Sequence, residues 1–151
     1  MINEIMHVGL TVKDLDRSVD FYKNILGLKY LGEILMEGKE TELLFNRKNA
    51  RARVAYLNGS GKIHTPPVEL IQFIDEEIIE DKSDLFKTSI SEICFSVDDI
   101  YNVYESLKAK GVEFISAPQK FDFTSSGFGK SIAVYFKDTD GIILELMQNN
   151  D

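Results

Sequence analysis

Only one cysteine, Cys94, stands among the 151 residues, so an internal disulfide is excluded and a reducing compartment fits. Long apolar runs are missing as well. No stretch approaches the roughly 18–20 residues of a membrane-spanning helix, and no membrane partner is expected. Basic residues are few: 17 Lys and Arg stand against 25 Asp and Glu, a formal charge of −8. That balance disfavours binding to a phosphate backbone, which needs a clustered basic surface, so no nucleic-acid partner is expected either. Residues 1–7 lack the basic and apolar blocks of a signal peptide, and the expected location is cytoplasmic. What remains is 44% hydrophobic and 28% charged, with no low-complexity tract. The length suits one core, or two small modules sharing one.

Residues 5–12 (IMHVGLTV) read as a strand, with Val8, Leu10 and Val12 on one face and His7, Gly9 and Thr11 on the other. Asp14 is placed to cap a helix over residues 15–26, along which Leu15, Val19, Tyr22 and Leu26 form an apolar stripe; Gly27 stops it. Three extended segments follow at 28–34, 40–45 and 52–57. A turn at Asn58-Gly59-Ser60-Gly61 then leads to a strand at 68–73 (VELIQF), with Pro66 and Pro67 just before it. Residues 74–87 are acidic without strand alternation and read as a linker. After them the pattern restarts: a strand at 92–97 (EICFSV), a cap at Asp98 or Asp99, a helix at 100–110, and Gly111 as its stop. An extended stretch at 112–116, a loop-rich stretch at 117–130, a strand at 131–136 and a closing strand at 141–148 complete the chain.

The restart is an internal repeat. His7, Val12 and Asp14 match Glu92, Val97 and Asp99 at an offset of 85, Gly27 matches Gly111 at 84, and Glu69 in VELIQ matches Glu145 in LELMQ at 76. The shrinking offset places deletions in the loops of the second copy, where they are best tolerated. Each copy reads strand–helix–strand–strand–strand, with modules expected at 1–73 and 89–151 and a linker at 74–88. The expected fold class is α+β, with the two modules packed around a shared cleft.

Glu145 is a single carboxylate in an otherwise apolar strand. Such a group either points to solvent on an edge strand or is compensated by a partner charge or a metal, and the strand alone leaves both open. Strand faces add a direction: His7, Glu69, Glu92 and Glu145 all lie opposite the apolar, helix-facing sets. Three carboxylates and an imidazole converging in one cleft repel one another unless a divalent cation is present.

The segments HVGLTVKDLDRSVDFYKNILGL, VELIQF, EICFSVDDI and YFKDTDGIILELMQ resemble the vicinal oxygen chelate superfamily, which holds glyoxalase I, methylmalonyl-CoA epimerase, extradiol dioxygenases, and fosfomycin- and bleomycin-resistance proteins. The resemblance covers nearly the whole chain. It implies two βαβββ modules forming a half-open eight-stranded barrel around a metal. It places metal ligands on His7, Glu69 and Glu145; the fourth position, commonly histidine in glyoxalase I and the epimerase, falls on Glu92, which either binds the metal or stands off and leaves three ligands plus waters. It also implies a small-molecule substrate chelated through adjacent oxygens, proton abstraction next to its carbonyl with Glu145 and then Glu69 as base, and a homodimer. Carboxylate-rich ligation moves the expected metal from Zn, Ni or Co towards Mn, Fe or Mg. With only two histidines, His7 and His64, a dioxygenase or a fosfomycin-type transferase is a poor match. The rival reading is a bleomycin-resistance-like protein that sequesters its ligand without catalysis.

Other residues are read more plainly. His64 is expected at the surface, Cys94, on the cleft face, as a small buried thiol, and Arg17 as structural. Phe121, Phe123 and Phe128 form either a wall over a ligand or a cover on the cavity mouth. Lys130 faces solvent or an anionic substrate.

Overall fold

Asp14 and Asp99 start the two main helices in the same way. Each is extended, and its carboxylate accepts a hydrogen bond from a backbone N–H three residues on, Arg17 at 3.0 Å and Asn102 at 3.1 Å. A second side chain completes each cap. Gln72 Oε1 accepts from the backbone N–H of Leu15, and Gln148 Oε1 from that of Ile100, both at 2.9 Å. The first turn of a helix leaves its N–H groups without internal partners; the two aspartates satisfy one locally, and Gln72 and Gln148 tie each helix start to the closing strand of its own repeat. Gly27 and Gly111, at φ +80° and +84°, end the helical segments in the left-handed conformation that glycine adopts most easily.

The computed structural model describes residues 5–60, 67–86 and 88–150, and the chain divides into two units, Met1–Glu80 and Asp81–Asp151. The first contains β1 (Val8–Thr11), α1 (Leu15–Asp20, continuing through a π-type turn at Phe21–Ile25), β2 (Lys29–Met36), α2 (Lys39–Leu44), β3 (Ala52–Asn58) and β4 (Val68–Phe73). Its strands run in the order β1-β4-β3-β2, with β1 parallel to β4 and the other pairs antiparallel. The second unit repeats the plan with β5 (Ile93–Ser96), α3 (Ile100–Ala109), β6 (Gln119–Asp122), β7 (Lys130–Lys137) and β8 (Ile143–Asn150), ordered β5-β8-β7-β6. Both sheets are mixed, and the fold class is α+β.

One face of each sheet makes the core. In the first unit α1 packs on β3 and β4, and Leu10, Leu15, Tyr22, Leu57 and Leu70 are buried. In the second, α3 packs on β8; Ile100, Leu107, Phe136, Leu144 and Leu146 are buried, and Phe114 meets Tyr104 edge-on and Phe136 at a tilt. A fully buried Leu or Ile contributes about 1.5–3 kcal/mol, so these faces supply the main drive for each unit.

Two local expectations are corrected. Residues 40–45 are not extended: Lys39–Leu44 is helical after Gly38, with the Thr41 hydroxyl bonded to the Glu37 carbonyl and Leu43 and Leu44 exposed. Apart from Thr41 the run K-E-T-E-L-L is made of good helix formers, and Phe45 beyond it seats its ring edge-on against Phe73 at 5.2 Å. In the second unit the strand lies at Gln119–Asp122, inside the stretch read as loop, while residues 112–116 contribute a single bridge, Phe114 to Phe136. Among the described residues no helix is long and apolar enough to cross a membrane. His64 lies outside the described residues.

Candidate functional site

The sheet face opposite each helix carries the chemistry. In the first unit Glu69, on β4, is flanked in register by Gly9 on β1 and Tyr56 on β3. Its carboxylate is almost fully buried, and Oε2 stands 3.4 Å from Nε2 of His7, which directly precedes β1 and is about half exposed. A Cβ at Gly9 would make ordinary van der Waals contacts, 3.7 Å from Glu69 Oε1 and 3.4 Å from Ile71 Cδ1. Tyr56 completes the group. Its ring meets that of His7 edge-on at 6.3 Å, and its hydroxyl engages the Glu69 carboxylate. Burial, and then that contact with an anion, push the phenol up to about 12.

The second unit builds the same pattern from different residues. Glu145, on β8, is flanked by Cys94 on β5 and Tyr135 on β7, the same register as Gly9, Glu69 and Tyr56. Glu145 is 7% exposed. Burial raises its pKa, the Cys94 thiol donating to it works the other way, and the charge of Glu92 raises it further. Cys94 has solvent access at the residue level, yet the protein packed around its sulfur and the neighbouring Glu145 push the thiol up to about 12. Tyr135 is also raised, by burial first and then by the charges of Glu145 and Glu92.

The four residues predicted as ligands therefore fall into two pairs, His7 with Glu69 and Glu92 with Glu145. Among the described residues, no group of three or more His, Cys, Asp or Glu side chains stands together as a metal site. The donor chemistry still fits a divalent cation. Glu145 is a buried carboxylate whose charged neighbour, Glu92, has the same sign, and no cationic side chain of the described residues is paired with it. An arrangement of that kind costs free energy until a positive charge arrives. The chain itself supplies hard oxygen donors, one imidazole and a thiol held protonated.

Sequence reasoning found the carboxylates but missed Tyr56 and Tyr135. Their only sequence signal is a Tyr in each β-branched strand before the closing strand, and the register that sets it beside a carboxylate appears only in the folded sheet. Phe121 and Phe123 stack at 5.7 Å, with Phe128 exposed, beside a shallow pocket lined by Lys120, Phe121, Asp122, Lys130 and Ser131. Lys130 there pairs with Asp122 at 3.3 Å.

Comparison with known proteins agrees with this architecture. The family model for the Glyoxalase/Bleomycin resistance protein/Dioxygenase superfamily matches residues 4–146. A probable lactoylglutathione lyase from Vibrio parahaemolyticus is 30% identical over 147 residues, covering 96% of this chain and 90% of that protein. The lactoylglutathione lyase of Haemophilus influenzae is 28% identical, covering 97% and 93%. Among solved structures, a glyoxalase family protein from Bacillus cereus superposes with a TM-score of 0.85 at 18% identity, covering 100% of this chain and 97% of its own. The fold is glyoxalase-like, and the chain belongs to the glyoxalase/bleomycin resistance protein/dioxygenase superfamily.

Proposed function

We propose that the protein is a metal-dependent lyase or isomerase of the glyoxalase I type, abstracting a proton next to a carbonyl of a small substrate. The observation that carries this reading is Glu145: a buried carboxylate with raised proton affinity, in a chain whose relatives are named lactoylglutathione lyases. His7, Glu69 and Glu145 are the side chains to hold the divalent metal, with Glu92 as the fourth donor. Bound there, the ion supplies Lewis-acid stabilisation to the negative charge that develops on the substrate oxygen. Glu145 takes the proton, because burial moves its basicity towards the working pH. Glu69 is the weaker candidate, being already engaged by His7 and Tyr56. Carboxylate-rich donors favour manganese, iron or magnesium over zinc, nickel or cobalt. The assembly is a homodimer, which light scattering of the purified protein checks.

One observation favours the rival reading of ligand sequestration without catalysis. His7 Nε2 stands 3.4 Å from Glu69 Oε2, a pairing that a protonated imidazole makes without a metal. Assays with hemithioacetals of glutathione and with acyl-CoA epimers, before and after chelator treatment and metal replacement, separate the two. The enzyme reading predicts turnover with one of these classes, lost on chelation, restored by metal, and reduced about a hundredfold or more in Glu145→Gln, the scale expected for losing a general base. Tight ligand binding with no turnover and no metal dependence supports sequestration instead.

A further inference from the structure

We propose that Tyr56 is a positioning residue whose hydroxyl orients Glu69 towards the metal, a brace that Tyr135 does not give Glu145 in the second repeat. This rests on the metal-site reading above. Tyr56 and Tyr135 occupy the same place in the two repeats, each directly across an antiparallel ladder from the carboxylate. Their hydroxyls behave differently. Tyr56 engages Glu69 through its hydroxyl, whereas Glu145 acts on Tyr135 by charge alone. Glu145 takes its contact from the Cys94 thiol, a weak donor, where Gly9 of the first unit offers no side chain. Tyr56 also rests its ring against His7, so one side chain braces both members of the first-unit pair. Outer partners of this kind orient ligands and raise their affinity, and a carboxylate bonded to a packed phenol has less room to swing. Removing the oxygen of Tyr56 leaves the ring packed and takes away only that brace.

The experiment is a manganese titration of the full chain, followed by electron paramagnetic resonance, on the wild type, Tyr56→Phe, Tyr135→Phe, Glu69→Gln and the Tyr56→Phe/Glu69→Gln double variant, with thermal melts as a fold control. Tyr56→Phe is expected to weaken manganese binding about tenfold or more with its melting temperature little changed, and Tyr135→Phe to leave binding nearly intact. In the Glu69→Gln background the Tyr56 substitution adds little, because the partner it acts through is gone. Wild-type affinity in Tyr56→Phe, equal losses in the two Tyr variants, or a loss that persists undiminished beside Glu69→Gln overturns the proposal. A wild type that binds no manganese overturns the metal reading and this proposal together, which distinguishes the two failures.

Discussion

Burial gives Glu145 a higher proton affinity than an ordinary glutamate, and the charge of Glu92 adds to it. The sign of the stability effect follows. Well below the usual value of 4.5 both folded and unfolded chains hold the proton, and the group costs nothing. As pH rises towards the raised folded value, the unfolded chain releases its proton first and stability is lost. Metal-free Glu145→Gln should therefore melt above the wild type at pH 8, and the gap should close as pH falls below 4.5. A gap independent of pH, or of opposite sign, contradicts the electrostatic account. Cys94 offers a second test at this scale. A thiol pushed up to about 12 is almost wholly protonated at pH 8, so Cys94 should react with a disulfide reagent at least about tenfold more slowly than a free cysteine despite its exposure. Glu145→Gln should speed that reaction in part, since burial, the larger cause, stays.

At the scale of elements, the repeat is also a repeat of caps. Gln72 and Gln148 each bond the first N–H of their own helix at 2.9 Å, so Gln72→Ala and Gln148→Ala should each cost about 1 kcal/mol in urea denaturation. A null effect at both sites would mean that Asp14 and Asp99 suffice. The Asp caps, the closing strands and both helices were legible in the sequence because they carry strong local signals: Asp before an apolar stripe, Gly after it, and a turn before a β-branched run; the Gln72 and Gln148 caps, 57 and 48 residues from the N–H groups they bond, were not. Lys39–Leu44 was not, because six residues are too few to separate helical from strand periodicity, and its apolar pair Leu43-Leu44 is exposed rather than facing a core. Gln119–Asp122 was missed for a related reason. It is an exposed edge strand with no apolar alternation, paired only to β7. Of the candidate site, Glu69 and Glu145 could be found as polar residues in apolar strands, while Tyr56 and Tyr135 depend on cross-strand register, which no single strand encodes.

For the whole molecule the charge of −8 sets a bias among substrates. Repulsion weakens the approach of a polyanion more than that of a lightly charged one, and salt screens it with a Debye length near ~10 Å at 0.1 M. The KM for a coenzyme A thioester should fall as salt rises from low to physiological levels, and the KM for a glutathione hemithioacetal should move less. Equal slopes for the two would show that the overall charge does not steer the choice. Whether His7, Glu69 and Glu145 hold a divalent ion is read from elemental analysis of the purified, dialysed chain. Manganese, iron or another divalent metal should be retained stoichiometrically by the wild type and largely lost from Glu69→Gln and Glu145→Gln. A wild type free of metal after loading, or a Glu145→Gln variant that retains it in full, would contradict the account.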